Sequence, residues 1–328
     1  MNTYNKEQWR IYKGAKKLSA IENIIPKWRD KKNHKDHNAE VFVPLNDEII
    51  DAVNTAIYLR RPLLVTGEAG IGKSSLAKSI AKSLGIKLLH WQITSKSVLQ
   101  DALYSYDALS RLHDIQIKKL YFEMRDTKYT NVSTDIENYI KLKSLGTAFV
   151  SDETVVVLID ELDKSDIDLP NDLLHIFEEQ EFEIDELKRM RFDKGAEPKI
   201  EDELGNTHQI PNGKVECKKF PIIVMTSNNE RDFPPAFLRR CISIEIKLSD
   251  NREEKIEQLS NMVKAHFGEQ REDNQIEKIV ERFVDLKEKG LRSNDQLLNA
   301  VHLILKTNMD YKTFRADFEN IVTKALEN

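Results

Sequence analysis

The chain predicts an α/β fold, a parallel sheet sandwiched between helices and followed by an all-helical domain. Three observations carry this. Five apolar, β-prone runs recur at Leu63 to Thr66, Lys87 to Ile93, Val155 to Ile159, Pro221 to Thr226 and Ile242 to Ile246, with helical patterns between them. After Leu248 no strand pattern survives, and four amphipathic helices follow. The first run passes straight into a glycine-rich loop that opens a helix, in the stretch PLLVTGEAGIGKSS from Pro62 to Ser75.

Taken in order, residues 1–40 read as an N-terminal arm. It holds Trp9, Tyr12 and Trp28 and a basic run from Lys27 to Lys35, read as a solvated linker or as an arm docking on a partner. The domain at 41–248 opens with a helix from Asn46 to Leu59 that delivers the chain to the first strand. Insertions near 95–151 and 181–219 interrupt it. The first is charged and partly helical, and the second is polar with turn signals at Asn206, Pro211 and Gly213. The helices of the domain at 249–328 are expected over Asp250 to His266, Gln275 to Lys287, Ser293 to Lys306 and Tyr311 to Ala325, with Asp250, Ser293 and Asp310 as N-caps.

Composition narrows the classes. The net charge is −5 with 32% charged residues, so nothing global favours nucleic acid. Cys217 and Cys241 lack metal-ligand spacing, which argues for a reducing compartment and against structural zinc. No apolar run is long enough to span a bilayer, and the N-terminus lacks the apolar stretch of a signal peptide. A soluble cytoplasmic protein is the expectation.

Gly67-Glu68-Ala69-Gly70-Ile71-Gly72-Lys73-Ser74 fits G-x-x-x-x-G-K-[ST] at every fixed position, and Ser75 follows it into the helix. Glycines without Cβ let successive N–H groups curl around a phosphate, and the helix N-terminus adds its positive end. Lys73 reaches the β- and γ-phosphates, and the Ser74 hydroxyl ligates Mg²⁺. Asp160 and Glu161 end the third apolar run, placing both acids at the carboxyl edge of the sheet. Asp160 suits the metal's water shell, and Glu161 suits polarising the attacking water. Asn228 ends the fourth run, suited to the γ-phosphate or the same water. Arg240, preferred over Arg239 because Cys241 begins the last strand, is placed as a finger toward an adjacent subunit's nucleotide. Arg292 opens a helix of the last domain and is a candidate contact to the same nucleotide.

Loop, Asp-Glu strand, Asn-ended strand and late Arg, in that order before a helical domain, resemble the AAA+ ATPases of the P-loop NTPase fold from about Asn46 onward. Within them the chain is similar to the MoxR clade, whose helix-2 insert and pre-sensor β-hairpin correspond to the two insertions. The segments from Trp91 to Ser97, Leu103 to Ala108 and Asp160 to Leu174 are similar to MoxR-type ATPases of prokaryotic conflict systems, associated with von Willebrand factor A proteins. The resemblance gives Lys73 and Ser74 the Walker A roles, Asp160 and Glu161 Walker B, Asn228 sensor 1, Arg240 the finger and Arg292 sensor 2. The chain departs from it at Asn229, where many MoxR proteins carry proline, and Arg292 lacks a clear flanking motif.

What this implies is ATP hydrolysis with Mg²⁺ by a homo-oligomer, a hexameric ring, that remodels or switches a client or adaptor protein, with a role in antiviral defence. A P-loop kinase is the competing enzyme class, though kinases seldom use adjacent Asp-Glu. A nucleotide-gated nucleic-acid-binding or scaffold module is the other alternative, resting on the basic arm and on Lys118 and Lys119. The acidic run from Glu178 to Glu186 is read as a solvated face, with a partner contact as its alternative.

Overall fold

The computed structural model describes residues 26, 42–123, 134–189, 197–268, 274–288, 293–307, 309–317 and 319–322. The aromatic and basic residues of the N-terminal arm lie outside them, as does Arg292. The chain forms two compact units, one of residues 52–65 and 83–244, the other of residues 1–51, 66–82 and 245–328.

Asn46 caps α1 (Asp47–Leu59), its Oδ1 accepting from the Ile49 N–H at 3.2 Å. The chain then runs through β1 (Leu63–Gly67), α2 (Lys73–Leu84) and β2 (Leu88–Gln92). The first insertion follows as α3 (Gln100–Leu103), β3 (Tyr104–Tyr106), α4 (Ala108–Glu123), β4 (Ile140–Leu142) and α5 (Ser144–Val150). Next come β5 (Val156–Asp160) and α6 (Leu169–Glu179). The second insertion is β6 (Glu181–Glu183), α7 (Asp185–Lys188), β7 (Lys199–Glu201), β8 (Thr207–Gln209) and β9 (Lys214–Glu216). Then β10 (Ile222–Ser227), α8 (Pro235–Leu238) and β11 (Ile242–Ile246) complete the α/β part.

The first unit is built on a parallel sheet of order β11-β1-β10-β5-β2. The five strands fall within a residue of the apolar runs. β5 reads as an unbroken hydrophobic run because every one of its residues is buried. Leu64, Leu89, Trp91, Val157, Ile159 and Met225 join Phe149, Phe177 and Phe237 in one core. The strand order reverses at β1, flanked by β10 and β11, which makes it the topological switch point where ligands bind in such sheets.

The two insertions are not separate excursions. They build a second sheet together, of order β3-β4-β7-β8, with β3 and β4 from the first and β7 and β8 from the second. Lys141 pairs with Glu201 in register and also by a 2.8 Å ion pair. The β7–β8 turn is organised by Asp202, only 2% exposed. Its carboxylate accepts from the N–H groups of Leu204 and Asn206, each at 2.8 Å, and from His208 Nε2 at 2.8 Å. Burial works to raise the Asp202 pKa, but these hydrogen bonds outweigh it and hold the carboxyl below its usual range. The acidic run is paired within its own unit: Glu178 with Arg240, Glu181 with Lys214 at 2.7 Å and Glu183 with Lys188 at 2.6 Å. Cys217 and Cys241 are free thiols, and burial pushes them up to about 11 and about 12.

The second unit holds α9 (Arg252–Phe267), α10 (Asn274–Lys287), α11 (Asn294–Thr307), α12 (Tyr311–Asp317) and α13 (Glu319–Val322). Leu259, Val263, Val280, Phe283, Leu297, Val301 and Phe314 form its core. The N-cap of α9 is Asn251 rather than Asp250. Asn251 Oδ1 accepts from Glu253 N at 2.8 Å and Glu254 N at 3.3 Å, so the helix begins one residue later than its acidic flank suggests. Asp310 does cap α12, accepting from Thr313 N at 2.9 Å. No helix among the described residues is long and apolar enough to cross a membrane.

Candidate nucleotide-binding site

The loop after β1 has a shape only glycine permits at its first position. Gly67 sits at φ 143°, and a Cβ there would lie 2.2 Å from the backbone oxygen of Ile246. The loop turns back through a bond from Ile71 N to Glu68 O at 3.3 Å, and Lys73 opens the twelve-residue α2. Lys73 is only 7% exposed, and its Nζ donates to the carbonyls of Gly67 at 2.7 Å and Glu68 at 2.9 Å. An ammonium folded onto its own loop beside first-turn amides is a donor set for an anion, which matches a phosphate group. In the same unit, the last turn of α10 meets the loop. Lys287 pairs with Glu68 at 2.6 Å and donates to Asn294 Oδ1 at 3.4 Å.

The strand-end acids are tied to one another through β10. Thr226 Oγ1 donates to Asp160 Oδ1 at 2.6 Å and accepts from the Glu161 N–H at 2.9 Å. One hydroxyl thus fixes both residues. His90 Nε2 lies 3.3 Å from Asp160 Oδ2. Glu161 turns out of the strand in a left-handed conformation, φ 62°. Its Oε2 accepts from Gln92 Nε2 and Lys164 Nζ, both at 2.7 Å. The hydrogen bond that Lys164 donates to Glu161 holds its ammonium above the usual range, burial working against it.

Asn228 is anchored by the turn that follows β10. Its N–H donates at 2.8 Å to Asp163 Oδ2, and its Nδ2 to Glu230 Oε1 at 3.3 Å. Asp163, 5% exposed, also accepts from Glu230 N at 3.2 Å, so it pins the turn that carries Asn228. Arg240 projects from the turn before β11, half-exposed, paired through Nε with Glu178. Arg239 is held differently, with Nε on Pro235 O at 3.2 Å and its own carbonyl accepting from Arg61 Nη1 at 3.5 Å.

Motif spacing identified Lys73, Asp160 and Glu161 but not Thr226, Gln92, Lys164 or Asp163. The sequence did show Thr226 and Ser227 as hydroxyls closing an otherwise apolar strand, but not that Thr226 would bridge the two acids. Among the described residues no cluster of three or more His, Cys, Asp or Glu side chains has metal-binding geometry. One carboxylate and one hydroxyl still fit Mg²⁺, which keeps most of its waters and takes few protein ligands.

A five-stranded parallel sheet whose switch-point strand runs into a G-x-x-x-x-G-K-S loop, followed by a C-terminal set of helices, defines the P-loop nucleoside-triphosphatase fold of the AAA+ class. The family described as AAA domain (dynein-related subfamily) matches residues 62–241, more than half of the chain, and the chain belongs to it. Proteins with such domains bind nucleotide, usually with Mg²⁺, and generally hydrolyse ATP. They commonly form oligomeric rings. No curated protein matches the chain.

Proposed function

We propose that this chain hydrolyses ATP to ADP and phosphate with Mg²⁺, within a homo-oligomeric ring of six copies of the MoxR type that remodels or switches a partner protein. The observation that carries the reading is Lys73, a buried ammonium folded onto a glycine loop at a helix start. The nucleotide-binding domain is taken as residues 41–248 and the lid as 249–328. A cytoplasmic setting, a von Willebrand factor A partner and a role in prokaryotic defence belong to the same proposal. The two free thiols support the setting, and the segments from Trp91 to Ser97 and Asp160 to Leu174 support the rest.

Bound magnesium supplies a Lewis acid that draws charge from the terminal phosphates. The loop amides of Gly67, Glu68, Ala69, Gly70, Ile71 and Gly72 and the first-turn amides of Ser74 and Ser75 cradle those phosphates. Lys73 exchanges its two carbonyl acceptors for phosphate oxygens. Ser74 and Asp160 hold the metal side. Glu161 leaves Gln92 and Lys164 to orient water for in-line attack, and Asn228 aligns the same water. Arg240 exchanges Glu178 for the nucleotide of the next copy, and Arg292 keeps the sensor 2 role that the resemblance assigns it.

The test is calorimetric titration with ATP beside phosphate release. Glu161→Gln keeps binding and loses turnover by about 10²-fold or more, whereas Lys73→Ala loses both. Turnover unaffected by Lys73→Ala would overturn the reading.

A further inference from the structure

Among the described residues, the hairpin of the second insertion ends in an unpaired sheet edge, β8 being the last strand of β3-β4-β7-β8. Its register pairs Ile200 with His208. Two residues to either side, Asp202 N bonds Asn206 O at 2.8 Å and Ile210 N bonds Pro198 O at 3.0 Å. Hydrogen-bonded pairs alternate along an antiparallel ladder. Ile200 and His208 are therefore bonded to each other, and Thr207 and Gln209 turn their N–H and C=O groups away from β7. Among the described residues those outward groups have no hydrogen-bond partner.

Beside this edge lies a groove of about 1420 Å³, walled by β8, the turn after it, β9 and residues 150–153. Its charges are unequally satisfied. Asp152 is paired with Lys218 at 2.8 Å and Glu216 with Lys214 at 3.1 Å, while Asp202 is satisfied by hydrogen bonds, one of them to His208 at 2.8 Å. Lys87 and Lys199 line the groove with no ion partner among the described residues, against the single carboxylate of Glu153. The hairpin is already fixed through Asp202, so little ordering is needed on binding.

We propose that the β8 edge binds an extended, acidic peptide segment of a partner protein by strand addition. The free groups of Thr207 and Gln209 pair with its main chain, and Lys87 and Lys199 face its carboxylates. The three-residue edge spans about 10 Å and engages a segment of about five residues. Binding here uses none of the phosphate-loop residues and needs no turnover, so its failure would leave the ATPase reading standing.

The probe is fluorescein-labelled acetyl-Thr-Glu-Val-Glu-Val-Thr-amide, titrated by anisotropy onto the full chain without nucleotide. Saturable binding below about 1 mM is expected, weakened about tenfold or more by N-methylation of alternate peptide amides and by Gln209→Pro. The Gln209 N–H lies outside the ladder, so proline is tolerated there, and the N-methylated peptide tests the same bonds with no change to the protein. Lysine in place of the peptide's glutamates, or Lys199→Glu, weakens binding severalfold, and bound peptide slows amide exchange at Thr207 and Gln209. Absence of saturable binding, or binding indifferent to both N-methylation and Gln209→Pro, overturns the proposal. So does a self-associated form without peptide that Gln209→Pro abolishes, which would assign the edge to a second copy. Equal affinity for the lysine peptide would overturn the acidic preference.

Discussion

Thr226 places one hydroxyl between Asp160 at the end of β5 and Glu161 just beyond it, and that economy makes it a sensitive position outside the motifs. Thr226→Val keeps the shape but strands the Glu161 N–H and takes a donor from Asp160. Denaturant titration should show a loss of about 1–3 kcal/mol, and turnover should fall more than nucleotide affinity, while Thr226→Ser retains both. Asn229, where the resemblance would allow proline, has a backbone that proline cannot take up. The residue sits at φ 59°, which proline, fixed near −65°, cannot adopt. Asn229→Pro should therefore destabilise by about 3 kcal/mol or more in the same titration, with Asn229→Gly nearly neutral. Lys73, Asp160 and Glu161 were legible because their relations are set by covalent spacing. Thr226, Gln92 and Lys164 were not, since they meet Asp160 and Glu161 through sheet register and a turn, Gln92 standing opposite Asp160 only once β2 and β5 pair.

The elements divide the same way. Long buried strands declare themselves as apolar runs, and all five of the central sheet could be read. The strands of the second sheet are three residues each, too short to establish an alternating period, and β4 finds β7 across some sixty residues of chain. The acidic run reads as a solvated face, and the partners of Glu178, Glu181 and Glu183 come from the turn before β11, β9 and α7. These pairs are exposed. Glu178→Gln should shift stability by no more than about 0.5 kcal/mol while freeing Arg240. On α9, burial lowers the His266 pKa, opposed by its bond to the Met262 carbonyl and by Asp295. A base depressed in the folded state binds its proton more readily when unfolded, so stability is complete above about pH 6.5 and falls below it. Thermal melts of His266→Gln against the native chain should show a shallower loss between about pH 6.5 and 5.

For the molecule as a whole, the grouping of the phosphate loop with the C-terminal helices matters more than the linear order. Glu68 is paired to Lys287, and a Cβ on Gly70 would lie 3.2 Å from Ser293. A chain ending at Leu248 keeps every motif residue of the loop but loses those supports, and its ATP affinity by calorimetry should fall about tenfold or more. Dependence of turnover on assembly is read by mixing: Arg240→Ala and Glu161→Gln copies, each inactive alone, should regain partial phosphate release together if the finger acts across copies. The suppressed thiols of Cys217 and Cys241 offer a practical opening here. At neutral pH both stay protonated, Cys241 buried and Cys217 partly so, so a cysteine introduced at exposed Ser95 would take a maleimide dye in preference to them, and stepwise photobleaching could then count copies in any assembly without first stripping the native sulfurs.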